Sequence, residues 1–376
     1  MKPAFALVAL AAFLAVSVVS GRAQTEAASS QAQQPQSQTQ PSQQGSPQQT
    51  SPPPAASAAS SDQQQGQTGT DKQKQPPKIV SMTGLVHLVA TVMDRHRNFV
   101  TNLNEDDFQV SEDGTKQKIL FFGRETDLPL RIGLLMDTSN SIRPRLAFEQ
   151  DAAIDFLNSV IRNGKDEAFL MTFDNEPEVI QDFTDDVGEL SDAIRRQRAG
   201  GGTALNDAIY MASQKLNAAP VPQTNPQVRR VLVVISDGDD DLSDRALSDA
   251  LEEALRSEVS IYCISTNTDW IAVDNPDEPR KYHLDPGDKI LQEFAFESGG
   301  RAFFPYRVDD LEQSFVDIGT ELRSQYFIAY APTDPLSNGG YRKIQVDADR
   351  KGLTVRTKQG YYAGSQPPPA GSGSGN

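Results

Sequence analysis

The sequence predicts an α/β fold: a doubly wound, mostly parallel sheet of Rossmann-like kind, joined by a small antiparallel β layer from the N- and C-terminal flanks. Short apolar runs with few polar interruptions recur at residues 132–136, 168–173, 231–235 and 259–264, as strands buried on both faces require. Helical apolar patterns lie between and after them. Strand and helix therefore alternate from Ile132 to Leu322, the signature of parallel strands with helical crossovers.

In chain order, Met1-Lys2 leads into an apolar stretch up to Val19 and then small residues near Gly21-Arg22-Ala23. This is the layout of a secretory signal over residues 1–24, so the chain is expected to be exported, to a periplasmic or extracellular location. An uncleaved anchor is the alternative reading, although spanning needs about 20 apolar residues. No later segment is apolar enough to cross a bilayer, so no membrane span is expected once the signal is removed. Residues 25–77 are rich in Gln, Ser, Pro and Ala and cannot bury enough surface to offset ordering entropy, so they read as a disordered linker. Residues 364–376, made largely of Gly, Ser and Pro, read as a disordered tail.

Residues 78–128 form a β-rich flank, with strands at 85–92, 109–111 and 118–121 and Glu112-Asp113-Gly114 as a hairpin turn. The body spans 129–323. Its helices are expected at 146–161, 204–216, 243–257, 289–298 and 311–322, where Phe148, Ala152, Ile154, Phe156, Leu157 and Val160 illustrate the near-3.6 period. Strands return at 326–330, 341–346 and 353–356 in a C-terminal segment, 324–363. Two separate hairpins would each be marginal, so the flanks are expected to pair with each other.

Charge and cysteine narrow the function. The chain has 51 acids against 35 bases, a formal charge of −16, which argues against nucleic acid, since phosphate binding needs clustered Lys and Arg. The single cysteine, Cys263, lies in an apolar run and reads as a small core residue with no disulfide to form.

Three short motifs sit where strands end. Asp137-Thr138-Ser139-Asn140-Ser141 follows the first buried strand, Gly200-Gly201-Gly202-Thr203 precedes a helix, and Ser236-Asp237-Gly238 follows a central strand. In open α/β sheets ligands collect outside the carboxyl ends of the strands. Two acids and three hydroxyls brought there would make an oxygen cage, whose few charges suit Mg²⁺ (or Mn²⁺) better than Ca²⁺. Asp239, Asp240 and Asp241 extend the acidic loop and read chiefly as solvated, and Asp174-Asn175 could face the same rim. Trp270, Tyr282 and His283, in a loop after residue 264, could pin their own loop or anchor a partner.

These three motifs, in this order and spacing, resemble the metal-ion-dependent adhesion site of von Willebrand factor type A domains, over residues 130 to about 325. The resemblance implies that Asp137, Ser139, Ser141, Thr203 and Asp237 are the metal-coordinating set. More loosely, Asp106-Asp107-Phe108 and Glu112-Asp113-Gly114 ahead of the body, with Gln325-Tyr326 and Gly360-Tyr361 behind it, are similar to secreted bacterial, acidobacterial-type members. A non-catalytic adhesion or scaffold module is then expected, whose metal accepts an Asp or Glu from an unidentified partner protein. The alternative is a metal-dependent hydrolase acting on phosphate esters. That reading lacks a general acid or base, because His87, His96 and His283 all fall outside the motifs. A third possibility is a relay in which the site shifts the last helix, 311–322, and with it the C-terminal strands.

Overall fold

The computed structural model describes residues 84–124, 128–220, 228–267, 284–305, 308–334 and 339–364. The expected signal, linker and tail, and Trp270, Tyr282 and His283, lie outside the described residues, apart from Gly364 at the start of the tail. The chain divides between Gln75 and Pro76, and everything described belongs to the second unit.

In chain order that unit forms β1 (Val86–Met93), β2 (Phe108–Glu112), β3 (Thr115–Gln117), β4 (Ile119–Arg124) and β5 (Leu130–Asp137). Then come α1 (Leu146–Val160), β6 (Glu167–Phe173), β7 (Pro177–Thr184), α2 (Val187–Arg195) and α3 (Leu205–Ala218). Next are β8 (Arg229–Ser236), α4 (Leu247–Arg256), β9 (Val259–Ser265), α5 (Pro286–Ser298), β10 (Ala302–Phe303) and α6 (Val308–Leu322). The chain closes through β11 (Tyr326–Tyr330), β12 (Tyr341–Ala348), β13 (Thr354–Arg356) and β14 (Gly360–Tyr362).

The six-stranded central sheet runs β10-β9-β8-β5-β6-β7, parallel except for β7, which pairs antiparallel with β6. β5 and β8 are buried along their whole length, which is why both read as unbroken apolar runs. Ile132, Leu134 and Met136 pack with α1, α2 and α6 on one face. Leu135, Leu232 and Val234 pack with α3, α4 and α5 on the other. Cys263 is buried in that second core, where desolvation drives its thiol pKa upward, as expected of a small apolar residue.

The flanks pair with each other as the sequence predicts, but in two sheets where a single layer is expected. One is ordered β13-β1-β11-β4 and the other β14-β12-β2-β3, with all their pairings antiparallel. Leu88, Phe108, Val110, Ile328, Tyr330, Ile344 and Val346 from both sheets make one shared core. The turn at Asp113-Gly114 has positive φ at both residues, 47° and 79°, as a two-residue hairpin turn requires. Inside the sandwich, buried Glu112 accepts from Tyr330 and Tyr361 hydroxyls at 2.7 and 2.8 Å and from Arg342 at 2.8 Å, so its charge is fully partnered.

A second buried network fastens the sandwich to the α/β body. Glu321, on α6, accepts from Tyr262 of β9 at 2.8 Å and from Thr91 of β1 at 3.1 Å, and pairs with Arg356 of β13. Gln325 donates to Thr91 at 2.8 Å and to Tyr262 at 3.1 Å. The last helix is therefore tied to strands of both layers.

Candidate functional site

β5 and β8 are neighbours in register, with Met136 opposite Ile235, so their carboxyl ends bring Asp137 and Asp237 to one edge. Neither aspartate is exposed beyond a few per cent, and among the described residues neither forms an ion pair. Asp137 Oδ1 accepts from the Ser139 amide at 2.8 Å, which folds the Asp-x-Ser-x-Ser loop back over its own first residue. The Ser139 and Ser141 hydroxyl oxygens lie 2.9 Å apart, and the Ser141 hydroxyl donates to Asp237 Oδ2 at 2.6 Å. Four of the five predicted residues are thus joined in one chain of hydrogen bonds.

Thr203, the fifth, arrives through its backbone. The amide of Gly200 donates to the Thr138 carbonyl at 2.7 Å, and the amide of Asn140 to the Gly201 carbonyl at 3.2 Å, laying the glycine turn against the first loop. Gly201 has φ of 83°, a conformation that side chains with a Cβ rarely adopt. Thr203 itself is 7% exposed at the start of α3, and no hydrogen bond links its hydroxyl to the other four among the described residues.

The acidic loop has a different job from simple solvation. Asp241 Oδ1 accepts from the Thr203 amide at 2.7 Å, and Asp240 Oδ1 from the Leu205 amide at 3.2 Å. Asp240 also takes the Asn206 side-chain amide. These carboxylates satisfy the open amides at the start of α3 and sit at the favourable end of its dipole. Asn175, seen from the sequence only as a rim residue, accepts from the Gly202 amide at 3.0 Å and so braces the glycine turn.

Two residues missing from the predicted set complete the surroundings. Ser236 donates its hydroxyl to Asp137 Oδ2 at 2.7 Å and accepts from the Gly238 amide at 3.0 Å, which fixes the carboxylate plane. Its signal was present, since it opens the Ser-Asp-Gly motif. Glu149, on α1, is 2% exposed, and neither carboxylate oxygen has a hydrogen-bond partner. An acid on the apolar stripe of a predicted helix, three residues after Leu146, was the available clue.

The α5 end closes the floor. Asn267 donates to the Asp237 carbonyl at 2.5 Å and to Asp288 at 3.1 Å. A Cβ on Gly238 would stand 2.2 Å from the Gly287 carbonyl oxygen, so this approach requires glycine.

Electrostatically, among the described residues no basic side chain forms an ion pair with Asp137, Asp237 or Asp239. Burial raises Asp137 to about 6, offset in part by Ser139 and Ser236 hydrogen bonds and raised further by the charge of Asp237. Burial also raises Asp239, with Asp237, Asp285, Asp241 and Asp288 adding to the shift. Oxygen donors, buried carboxylates and negative charge together fit a divalent cation. Among the described residues no group of three or more His, Cys, Asp or Glu is arranged to hold a metal; the candidate set has only two carboxylates, and hydroxyls supply the rest. Ser141 and Asp239 are exposed, so the edge opens to solvent.

Residues 132–239 match the family described as von Willebrand factor type A domain. Inter-alpha-trypsin inhibitor heavy chain H4 of Homo sapiens is 24% identical over 187 residues, 45% of this chain and 20% of that protein, so the chain spans about a fifth of that relative. Among solved structures, the chain is similar to von Willebrand factor type A from Catenulispora acidiphila, at TM-score 0.42 and 13% identity over 75% of each chain. It is also similar to proximal thread matrix protein 1 from the mussel byssus with zinc occupied MIDAS motif, at TM-score 0.41 and 14% identity, covering 56% of this chain and 50% of that one.

Proposed function

We propose, from the premise that this chain is a von Willebrand factor type A domain protein, that it is a non-catalytic adhesion or scaffold module binding a partner protein through a divalent cation. Asp137, Ser139, Ser141, Thr203 and Asp237 would hold the ion. When bound, the cation supplies a coordination position that a carboxylate of another protein fills. The observation that carries the reading is the hydrogen-bonded chain from Asp137 through Ser139 and Ser141 to Asp237 at the mouth of two adjacent strands.

The chain's own residues prepare that position. Ser236 and the Ser139 amide orient the Asp137 carboxylate, so little rearrangement is needed on binding. With the cation absent, Asp137, Asp237 and Asp239 repel an acidic ligand; with it present, the same edge attracts one. This makes partner binding conditional on the ion.

A phosphate-ester hydrolase is disfavoured because the described histidines, His87 and His96, are on β1 and the turn after it, so that among the described residues no histidine stands beside the acids. Export is supported by the signal-like first 24 residues, and among the described residues no helix is long and apolar enough to cross a membrane.

The test is a thermal-unfolding titration of the chain with Mg²⁺ and Mn²⁺, native against Asp137→Ala. A ligand specific for the folded state raises its stability with concentration. Stabilisation of the native chain alone supports the reading, and a pull-down with and without chelator then seeks the partner. No response in either chain removes its basis.

A further inference from the structure

Glu149 is a buried acid that the candidate set of five does not use. It occupies the first turn of α1, directly after the loop that carries Ser139 and Ser141, and faces inward with Leu146, Ala153 and Leu157. Both its oxygens are buried without a partner. Elsewhere in this fold buried acids are answered: Glu112 by Arg342 and two tyrosines, Asp166 by Arg162 and Arg323. A buried carboxyl with nothing to bond is a poor filler of a core, where an apolar side chain of like size does better.

The charges that act on Glu149 identify its business. Burial does most to raise its pKa, to about 8, and the charges of Asp137 and Asp237 add smaller upward effects. Arg145, at the start of the same helix, is the basic group that acts in the opposite direction, and it forms no ion pair with Glu149 among the described residues. The three acids therefore act on one another, and among the described residues no basic side chain forms an ion pair with any of them.

We infer that Glu149 is a third acid of the cation centre, standing behind Asp137 and Asp237, where its carboxylate strengthens the hold on a divalent ion without belonging to the coordinating set. The inference rests on the cation-dependent reading above. A divalent ion supplies the positive charge that the buried carboxyl lacks, so its arrival favours the ionised form of Glu149, and that ionised form in turn favours the ion. Groups placed behind metal ligands commonly set affinity by ten- to hundredfold.

Calorimetric titration of the full chain with Mg²⁺ and Mn²⁺ tests this with three proteins: native, Asp137→Ala and Glu149→Gln. The expected result is loss of binding in Asp137→Ala and affinity about tenfold weaker in Glu149→Gln, whose ion-free melting temperature equals or exceeds that of the native chain. If Glu149→Gln binds as tightly as native while Asp137→Ala does not bind, the role of Glu149 is overturned and the cation centre stands. If the native chain binds neither ion, both fall together. Should Glu149→Gln fail to fold, difference infrared spectra of the native chain near pH 7 decide: addition of Mg²⁺ removes the carbonyl stretch of a protonated carboxylic acid, and it leaves that band in place in Asp137→Ala. A band indifferent to Mg²⁺ in the native chain overturns the inference.

Discussion

The Ser141 hydroxyl and the Asp237 carboxylate meet at 2.6 Å across 96 residues of sequence, joining the loop after β5 to the loop after β8. This bond fixes the distance between the two halves of the candidate centre. Replacing Ser141 by Ala removes both this link and one of the five proposed ligands while leaving both acids, so cation affinity should fall by roughly tenfold or more with little change in ion-free stability. Calorimetry against Mg²⁺ checks it; unchanged affinity would show that Ser141 neither holds the ion nor sets the spacing of the two loops.

The ion should reverse the sign of the pH effect on stability. Folded Asp137 titrates at about 6, above its ordinary 3.8, and Glu149 at about 8, above 4.5. The folded, ion-free protein therefore holds protons that the unfolded chain has released. This contribution is complete below about pH 4 and shrinks as pH rises through both folded values, costing roughly 3 kcal/mol for Asp137 alone. With saturating Mg²⁺ the ionised acids are the favoured form, so stability should climb over the same interval. Melting temperatures from pH 4 to 8, with chelator and with Mg²⁺, should diverge; parallel curves would exclude the coupling.

Asp241 is expected to behave as a ligand in mutational tests without being one. Its carboxylate caps the Thr203 amide at 2.7 Å, so Asp241→Ala should cost about 1 kcal/mol of stability and weaken the cation by loosening Thr203. Asp241→Asn, which keeps an acceptor oxygen, should restore most of both. Failure of Asn to rescue would point to direct coordination.

Gly238 is a steric test of the loop that bears Asp237. Any Cβ there meets the Gly287 carbonyl oxygen at 2.2 Å, and φ is 81°. Gly238→Ala should destabilise the fold by roughly 2 kcal/mol and reduce cation binding, because the α5 end must retreat. A well-folded Gly238→Ala with native affinity would show that this approach is slack.

Glu321 joins three elements, so its removal should be felt in both layers. Glu321→Ala leaves Arg356 without its acid and two hydroxyls without an acceptor, a loss of roughly 3 kcal/mol. If the last helix relays the state of the centre to the C-terminal strands, this variant should also uncouple Mg²⁺ addition from changes in β11 amide exchange. Equal exchange in native and variant chains, with and without Mg²⁺, argues against a relay.

What could be read from the residues follows from how much each element buries. β5, β8 and β9 sit inside the central sheet, and a strand covered on both faces is apolar throughout. β7 escaped notice because it is an edge strand, Pro177-Glu178-Val179-Ile180-Gln181-Asp182-Phe183-Thr184, with no fully buried residue. α2 covers nine residues, too few for its period to stand out. The sandwich was anticipated as a single layer because pairing is not a local property: Ile119 follows Gln117 closely, yet β4 leaves β3 and pairs with distant β11. At the centre, the acids and hydroxyls were legible because motif and strand end coincide. Glu149 was not, because an acid within a helix ordinarily faces water, and its place on the apolar stripe after Leu146 was a slight clue that this one does not.

Arg124, at the end of β4, and Tyr326, at the start of β11, stand directly opposite one another. The whole α/β body thus enters and leaves the chain through adjacent points, like a parenthesis opened and closed within a sentence about something else. During synthesis β1 to β4 are made first, yet the three strands they pair with from outside their own number, β11, β12 and β13, come only after the body is complete. Vectorial folding favours the segment whose contacts are local. The body is then the early-folding part and the sandwich the late one, and the first flank, with only its β2–β3 hairpin paired, must wait for about two hundred residues of synthesis, an interval on the order of ten to forty seconds at common elongation rates.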